Sequence, residues 1–184
     1  MRVIAGSKRH TNLVTPRGDN TRPTTDRIKE TLFNMIGPGL CDSYFLDVFS
    51  GSGQIAIEAL SRGASRAYLI ERDNNALACI KDNLKKCKFE NDASVFSSDY
   101  KVALNSIKDV VFDYVFMDPP YDNLIEKDVL AILSESSIID ENTIIIVEAS
   151  IDTDFSYLED FGFTLVKEKK YKTNKHMFIS KKDK

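Results

Sequence analysis

Five short runs, YFLDVF, AYLIE, ASVFSS, FDYVFM and TIIIVEA, begin at residues 44, 67, 93, 112 and 143, with helix-length segments between them. Several are apolar almost without interruption instead of alternating. A strand with that pattern needs cover on both faces, the condition of inner strands in a parallel sheet flanked by helices. The intervening segments supply the cover: QIAIEALSR, stopped by Gly63, then about 74–86, 100–108 and 124–135. At the end, FTLVKEKKY and HMFISKK are separated only by KTNK, which permits an antiparallel hairpin and nothing longer. The expected fold is therefore α/β, a doubly wound, seven-stranded, mostly parallel sheet with one antiparallel strand. Ahead of it, RVIA and TNLV around Gly6-Ser7-Lys8-Arg9 read as a short hairpin. Pro23, Thr24 and Thr25 then start a helix with Ile28, Leu32, Met35 and Ile36 on one face, ended by Gly37-Pro38-Gly39. Residues 1–184 read as a single domain, 1–40 being an extension of the core at 41–184.

Several functions are disfavoured at once. No apolar run reaches the roughly 20 residues of a membrane span, and MRVIAGSKRH lacks the apolar stretch of a secretory signal. Cys41, Cys79 and Cys87 form no C-x-x-C pair, and only His10 and His176 accompany them. Neither a disulfide framework nor a metal site is expected, and the setting is read as cytoplasmic. The net charge of −3 is unevenly spread. Residues 1–30 are net +4, residues 167–184 net +6, and the middle net −13. Charged ends are commonly just solvated, yet two basic ends also suit a phosphate-bearing partner.

In such a sheet ligands bind at the carboxyl ends of the strands. The first strand leads into Asp47 and the loop Gly51-Ser52-Gly53, where glycines allow close approach to a ligand ahead of a helix N-terminus. Glu71 ends the second strand about 20 residues later, where an acid can accept from both hydroxyls of a ribose. Asp99 follows the third strand, suited to an adenine amine. A tight turn and surface acids are the plain alternatives. Gly51 to Ala56 also fits the dinucleotide fingerprint, so a nicotinamide-binding protein remains a rival at this point.

The fourth strand runs into Asp118-Pro119-Pro120-Tyr121. That arrangement can assist methyl transfer to the exocyclic amine of a base, a poor nucleophile because its lone pair is delocalised into the ring. Accepting both amine hydrogens, one on the Asp118 carboxylate and one on the Pro119 carbonyl, turns the lone pair toward a methyl donor. The prolines keep the acceptors aimed, which is positioning rather than proton transfer. Tyr121 can stack on an extruded base. A rigid turn after a strand is the plain alternative.

With MRVIAG, RPTTDRIKETLFN, DVFSGSGQIAIEALSRGA, IERD and FMDPPY in that order, the sequence resembles the bacterial 16S rRNA guanine-N2 methyltransferases. These are Rossmann-like class I enzymes dependent on S-adenosylmethionine. The resemblance spans nearly the whole chain, and the RPTTDR block is what distinguishes it from adenine and cytosine amino-methyltransferases. It implies that Asp47, Gly51 and Gly53 cradle the methionine part of S-adenosylmethionine, with Glu71 on its ribose and Asp99 on its adenine. Asp118, Pro119 and Tyr121 would hold the guanine, which by resemblance is guanine 966 of 16S rRNA, free or in a small ribosomal subunit. Arg22, Thr24 and Arg27 lie in the block expected near cofactor and RNA. Relatives carry an Arg-Gly-Arg/Lys type of turn where this chain has Ser7-Lys8-Arg9-His10. Arg9 is thus a candidate RNA contact, and the C-terminal lysines gain a share. A monomer without metal is implied. Methylation of adenine or of a protein glutamine, and a non-catalytic RNA-binding assembly factor, stay open.

Overall fold

The apolar runs form strands and the segments between them form helices. The computed structural model describes residues 1–16, 26–120 and 124–182. In chain order come α1 (Asp26–Ile36), β1 (Tyr44–Asp47), α2 (Gln54–Ser61), β2 (Arg66–Glu71), α3 (Asn74–Cys87) and β3 (Ala93–Ser97). There follow α4 (Tyr100–Ser106), β4 (Tyr114–Met117), α5 (Ile125–Ser134), β5 (Ile144–Ser150), β6 (Phe163–Lys170) and β7 (Asn174–Lys181). Short 3-10 helices occupy Gly37–Leu40 and Ser156–Phe161. The sheet has seven strands in the order β3-β2-β1-β4-β5-β7-β6. The chain divides into two units, Met1–Asp99 and Tyr100–Lys184.

In the first unit β1, β2 and β3 are parallel, with Asp47 opposite Leu69 and Glu71 opposite Ser97. Phe45, Leu46, Leu69 and Ile70 are buried, as strands covered on both faces require. Asp73 caps α3 by accepting from the amides of Asn75 and Ala76. Helix α1 buries Lys29, Leu32 and Phe33, whereas Ile28, Met35 and Ile36 are only half-buried. The buried stripe is therefore turned from the expected one. Phe33 stacks on Phe45 at 6.4 Å, and Lys29 turns inward to Glu58 at 3.5 Å. The expected cap at Pro23-Thr24-Thr25 lies outside the described residues.

The N-terminal hairpin is present in minimal form, with one antiparallel bridge between Arg2 and Asn12. The Val3 amide donates to the Thr11 carbonyl and the His10 amide returns to that of Val3, both at 2.9 Å. Its attachment to α2 is polar. Both carboxylate oxygens of Glu58 accept from this arm, from the amides of Ile4 and Ala5 at 2.8 and 3.0 Å. Glu58 also holds Arg62 at 2.8 Å, and Lys29 donates to the Arg2 carbonyl at 2.6 Å. Gly6 lies so close to the Ser61 carbonyl, with φ +81°, that no side chain fits there.

In the second unit β4 and β5 are parallel, and β7 runs antiparallel to both β5 and β6. This is the one antiparallel strand the terminal hairpin predicts. Strand β6 ends the sheet order and is exposed from Thr164 to Lys170, with lysines at 167, 169 and 170. Lysines on an edge strand discourage pairing with another chain. Among the described residues no helix is long and apolar enough to cross a membrane.

Candidate functional site

The strand ends of the first unit gather four of the expected cofactor residues. Asp47 closes β1 and is 1% exposed. Among the described residues neither of its carboxylate oxygens has a hydrogen-bond partner. Burial pushes its pKa up to about 7, with nearby Glu71 adding to the rise. The backbone dipoles of Ala56 and Phe49 pull the other way, without the geometry of a hydrogen bond. The result is a buried acid that a cation would stabilise.

The turn after β1 is built by its glycines. Gly51 and Gly53 adopt φ of +53° and +76°, a region costly for other residues. A Cβ on Gly53 would press on Leu69 at 3.1 Å, whereas one on Gly51 would meet nothing within 4 Å. Gly53 is thus needed for packing, and Gly51 borders open space. Helix α2 starts at Gln54 with no side-chain cap, so its first amides lack the usual acceptor. Glu71 braces the loop: one oxygen accepts from the Gly51 amide at 2.9 Å, the other from Arg72 and Asp73 at 2.7 and 2.8 Å. Asp99 pairs with Arg72 at 3.5 Å.

Asn83 is a residue the sequence does not announce. It is fully buried on α3, accepts from the Val14 amide at 2.7 Å, and donates to the carbonyls of Val14 and Ser52. It therefore ties the N-terminal arm to the glycine loop. On an amphipathic helix it looks like any other polar position. Glu58 did leave a signal, since α2 is otherwise nearly all apolar or small, and an acid buried there must be paired. Burial lowers the Lys29 pKa, and Glu58 opposes the shift.

In the second unit β4 stops at Met117, and the prolines lie just beyond its ladder. Asp118 is half-buried, Pro119 buried and Pro120 exposed. Tyr121 lies outside the described residues, as do Arg22 and Thr24. A groove of about 290 Å³ opens beside Pro119, lined also by Leu124, Glu126, Glu148, Ser150 and Asp152. Behind it stands a buried polar network. Glu148 accepts from Asn174 at 2.6 Å and from His176 Nε2 at 3.0 Å. His176 Nδ1 lies 3.3 Å from the Tyr171 hydroxyl, so the ring is held between that hydroxyl and Glu148.

The basic candidates are peripheral. Arg9 on the hairpin turn and Arg27 on α1 are both exposed. Lys8 is half-buried, with its ammonium 5.5 Å from the Phe89 ring centre. Among the described residues no group of three His, Cys, Asp or Glu side chains could hold a metal ion.

Comparison with known proteins identifies the family and the fold. The family model described as Conserved hypothetical protein 95 matches residues 1–180. A Haemophilus influenzae protein named Ribosomal RNA small subunit methyltransferase D is 35% identical over 171 residues, 92% of this chain and 88% of that protein. The Bacillus subtilis (strain 168) protein YlbH, provisionally named an rRNA methyltransferase, is 40% identical over 150 residues, 80% of this chain and 82% of its own. The solved structure of Escherichia coli yhhF superposes with a TM-score of 0.85 at 30% identity, covering 100% of this chain and 99% of that one.

Proposed function

The chain belongs to the Conserved hypothetical protein 95 family, and from that premise we propose that it methylates the exocyclic N2 of a guanine in 16S rRNA of the small ribosomal subunit. By analogy the target is guanine 966. The observation that carries the reaction type is an acid and a rigid carbonyl, Asp118 and Pro119, directly after the buried strand β4 and beside an acceptor-rich groove. The substrate class rests on the small-subunit methyltransferase relatives.

The residues of the first unit suit S-adenosylmethionine, which when bound supplies an electrophilic methyl group on a sulfonium. Asp47, with no partner of its own among the described residues, would take the α-ammonium of the methionine part, and that charge would return its carboxyl to the ionised form. Gly51 and Gly53 would let the backbone approach, and the uncapped amides of α2 would take the carboxylate. Glu71 keeps acceptor capacity beyond its three backbone bonds for the ribose hydroxyls, and Asp99 would take the adenine amine.

At the base, the Asp118 carboxylate and Pro119 carbonyl would each accept one hydrogen of the N2 amine, raising its nucleophilicity without removing a proton first. Tyr121 would stack on the base, and Arg9, Arg22, Thr24 and Arg27 would meet the RNA backbone. Both units would then act as one catalytic domain, as a cytoplasmic monomer working on free rRNA or on a subunit assembly intermediate.

The test is nucleoside mass mapping after incubation with S-adenosylmethionine and unmethylated 16S rRNA or small subunits. N2-methylguanosine is expected. Methyladenosine or methylated glutamine would replace the substrate assignment. Absence of S-adenosylmethionine binding by calorimetry would favour an assembly factor instead.

A further inference from the structure

Asp-Pro-Pro-Tyr orients an amine but does not choose between bases, since adenine, cytosine and guanine each carry one. The groove beside Pro119 contains a group that does distinguish them. Glu126, in the first turn of α5, is 6% exposed and lines this groove. Among the described residues it makes no hydrogen bond and no ion pair, and its carboxylate oxygens are not among the fully buried unpartnered atoms, so they open onto the groove; the Tyr157 hydroxyl is near enough to feel its charge. The other acids of the groove are committed or exposed. Both oxygens of Glu148 are engaged by Asn174 and His176. Asp154 accepts from the amide and hydroxyl of Ser156, and Asp152 is exposed. A carboxylate that faces a groove with its acceptor capacity unused gains from a ligand that donates a hydrogen bond to it.

We infer that Glu126 is a specificity residue that reads the N1–H of the target guanine. This rests on the guanine-N2 reading above and deepens it. Guanine presents a run of donors on its Watson–Crick edge, N1–H beside the N2 amine. Adenine and cytosine instead place a lone pair next to their amine. With the amine held at Asp118 and Pro119, a carboxylate at the adjoining ring position attracts guanine. It repels the ring nitrogen of the other two bases. The sign of one hydrogen-bonding group thus sets the base that a shared amine-binding turn accepts.

The experiment compares RNA substrates with guanine or 2,6-diaminopurine at the target position. The analogue keeps the 2-amino group but has a lone pair at N1. Wild-type protein should prefer guanine in kcat/KM on the order of 10- to 100-fold. In Glu126→Gln, whose amide can donate to a lone pair, guanine should lose most of that advantage and the analogue should hold or gain. S-adenosylmethionine affinity should stay the same. Glu126→Asp keeps the charge and should retain the order of preference, which keeps the idea testable if the first variant folds poorly. Equal use of both bases by wild type, or unchanged discrimination in Glu126→Gln, overturns the assignment while guanine methylation itself stands. A wild type that methylates no guanine removes the underlying reading, and this inference with it.

Discussion

Replacing Asp47 by Asn tests the proposed cofactor site without any cofactor present. Asp47 is 1% exposed and its carboxyl is raised from an ordinary 3.8 to about 7. Because the folded value lies above the unfolded one, the folded state binds the proton more tightly. Stability is therefore greatest below the unfolded value and falls as pH rises toward 7. Above pH 7 the full penalty applies, about 4 kcal/mol for a shift of about three units at 1.4 kcal/mol each. At pH 5.5 the carboxyl is still mostly protonated in the folded protein, and the penalty is about half as large. Asp47→Asn has no charge to bury, so its advantage over wild type should grow by about 2 kcal/mol between pH 5.5 and pH 8. Apart from Glu71, which interacts with Asp47, the other carboxylates titrate in both proteins alike, and the difference between the two cancels them. The assay is urea unfolding followed by circular dichroism, since the chain has no tryptophan. In the same variant S-adenosylmethionine affinity should fall, because the proposed ammonium partner is lost. A stability difference that does not change between the two pH values would refute the reasoning.

Three further perturbations address other parts of the molecule. Asp118→Ala should lower kcat at least about 100-fold while calorimetric S-adenosylmethionine binding is kept; near-normal turnover would remove Asp118 from the reaction. Gly6→Ala forces a Cβ to 1.7 Å from the Ser61 carbonyl oxygen, so the arm must shift, at a cost of roughly 2–3 kcal/mol. Thermal melting and faster protease cleavage in residues 1–16 would register it, and an unchanged melting temperature would contradict the close approach. Arg9→Ala should weaken RNA binding similarly for all sequences and reduce the salt slope of log K by about 0.9 if it meets one phosphate; an unchanged slope would exclude that contact.

Much of the architecture was legible because burial on both faces leaves a direct mark on sequence. YFLDVF and TIIIVEA are apolar without alternation for that reason; β1 (Tyr44–Asp47) lies inside the first run, and β5 (Ile144–Ser150) covers the second from its first isoleucine to one residue past its end. The residue types at strand ends were legible too, since glycines at a tight turn and acids after strands stand out locally. Helix α1 shows where such reading fails. Its apolar residues suggest one face, but Lys29 and Phe33 take the buried positions because Glu58 and Phe45 lie there to receive them. Periodicity describes one helix and carries no record of what it packs against.

The sequence alone determined the alternation of strands and helices, the reversed pair at the end, and the chemical types available at Asp47, Gly51, Glu71 and Asp118. The tertiary structure alone decided which of these groups are satisfied. Glu71 is occupied by backbone amides, Asp47 is buried without a hydrogen-bond partner among the described residues, Glu126 lines the groove beside Pro119, and Asn83 joins the glycine loop to Val14, 69 residues away in sequence. A side chain's identity is local, but its burial and hydrogen-bond partners come from segments far along the chain. For that reason the turn proposed to bind the amine was visible in the sequence, while the carboxylate proposed to select its base emerged only from the fold.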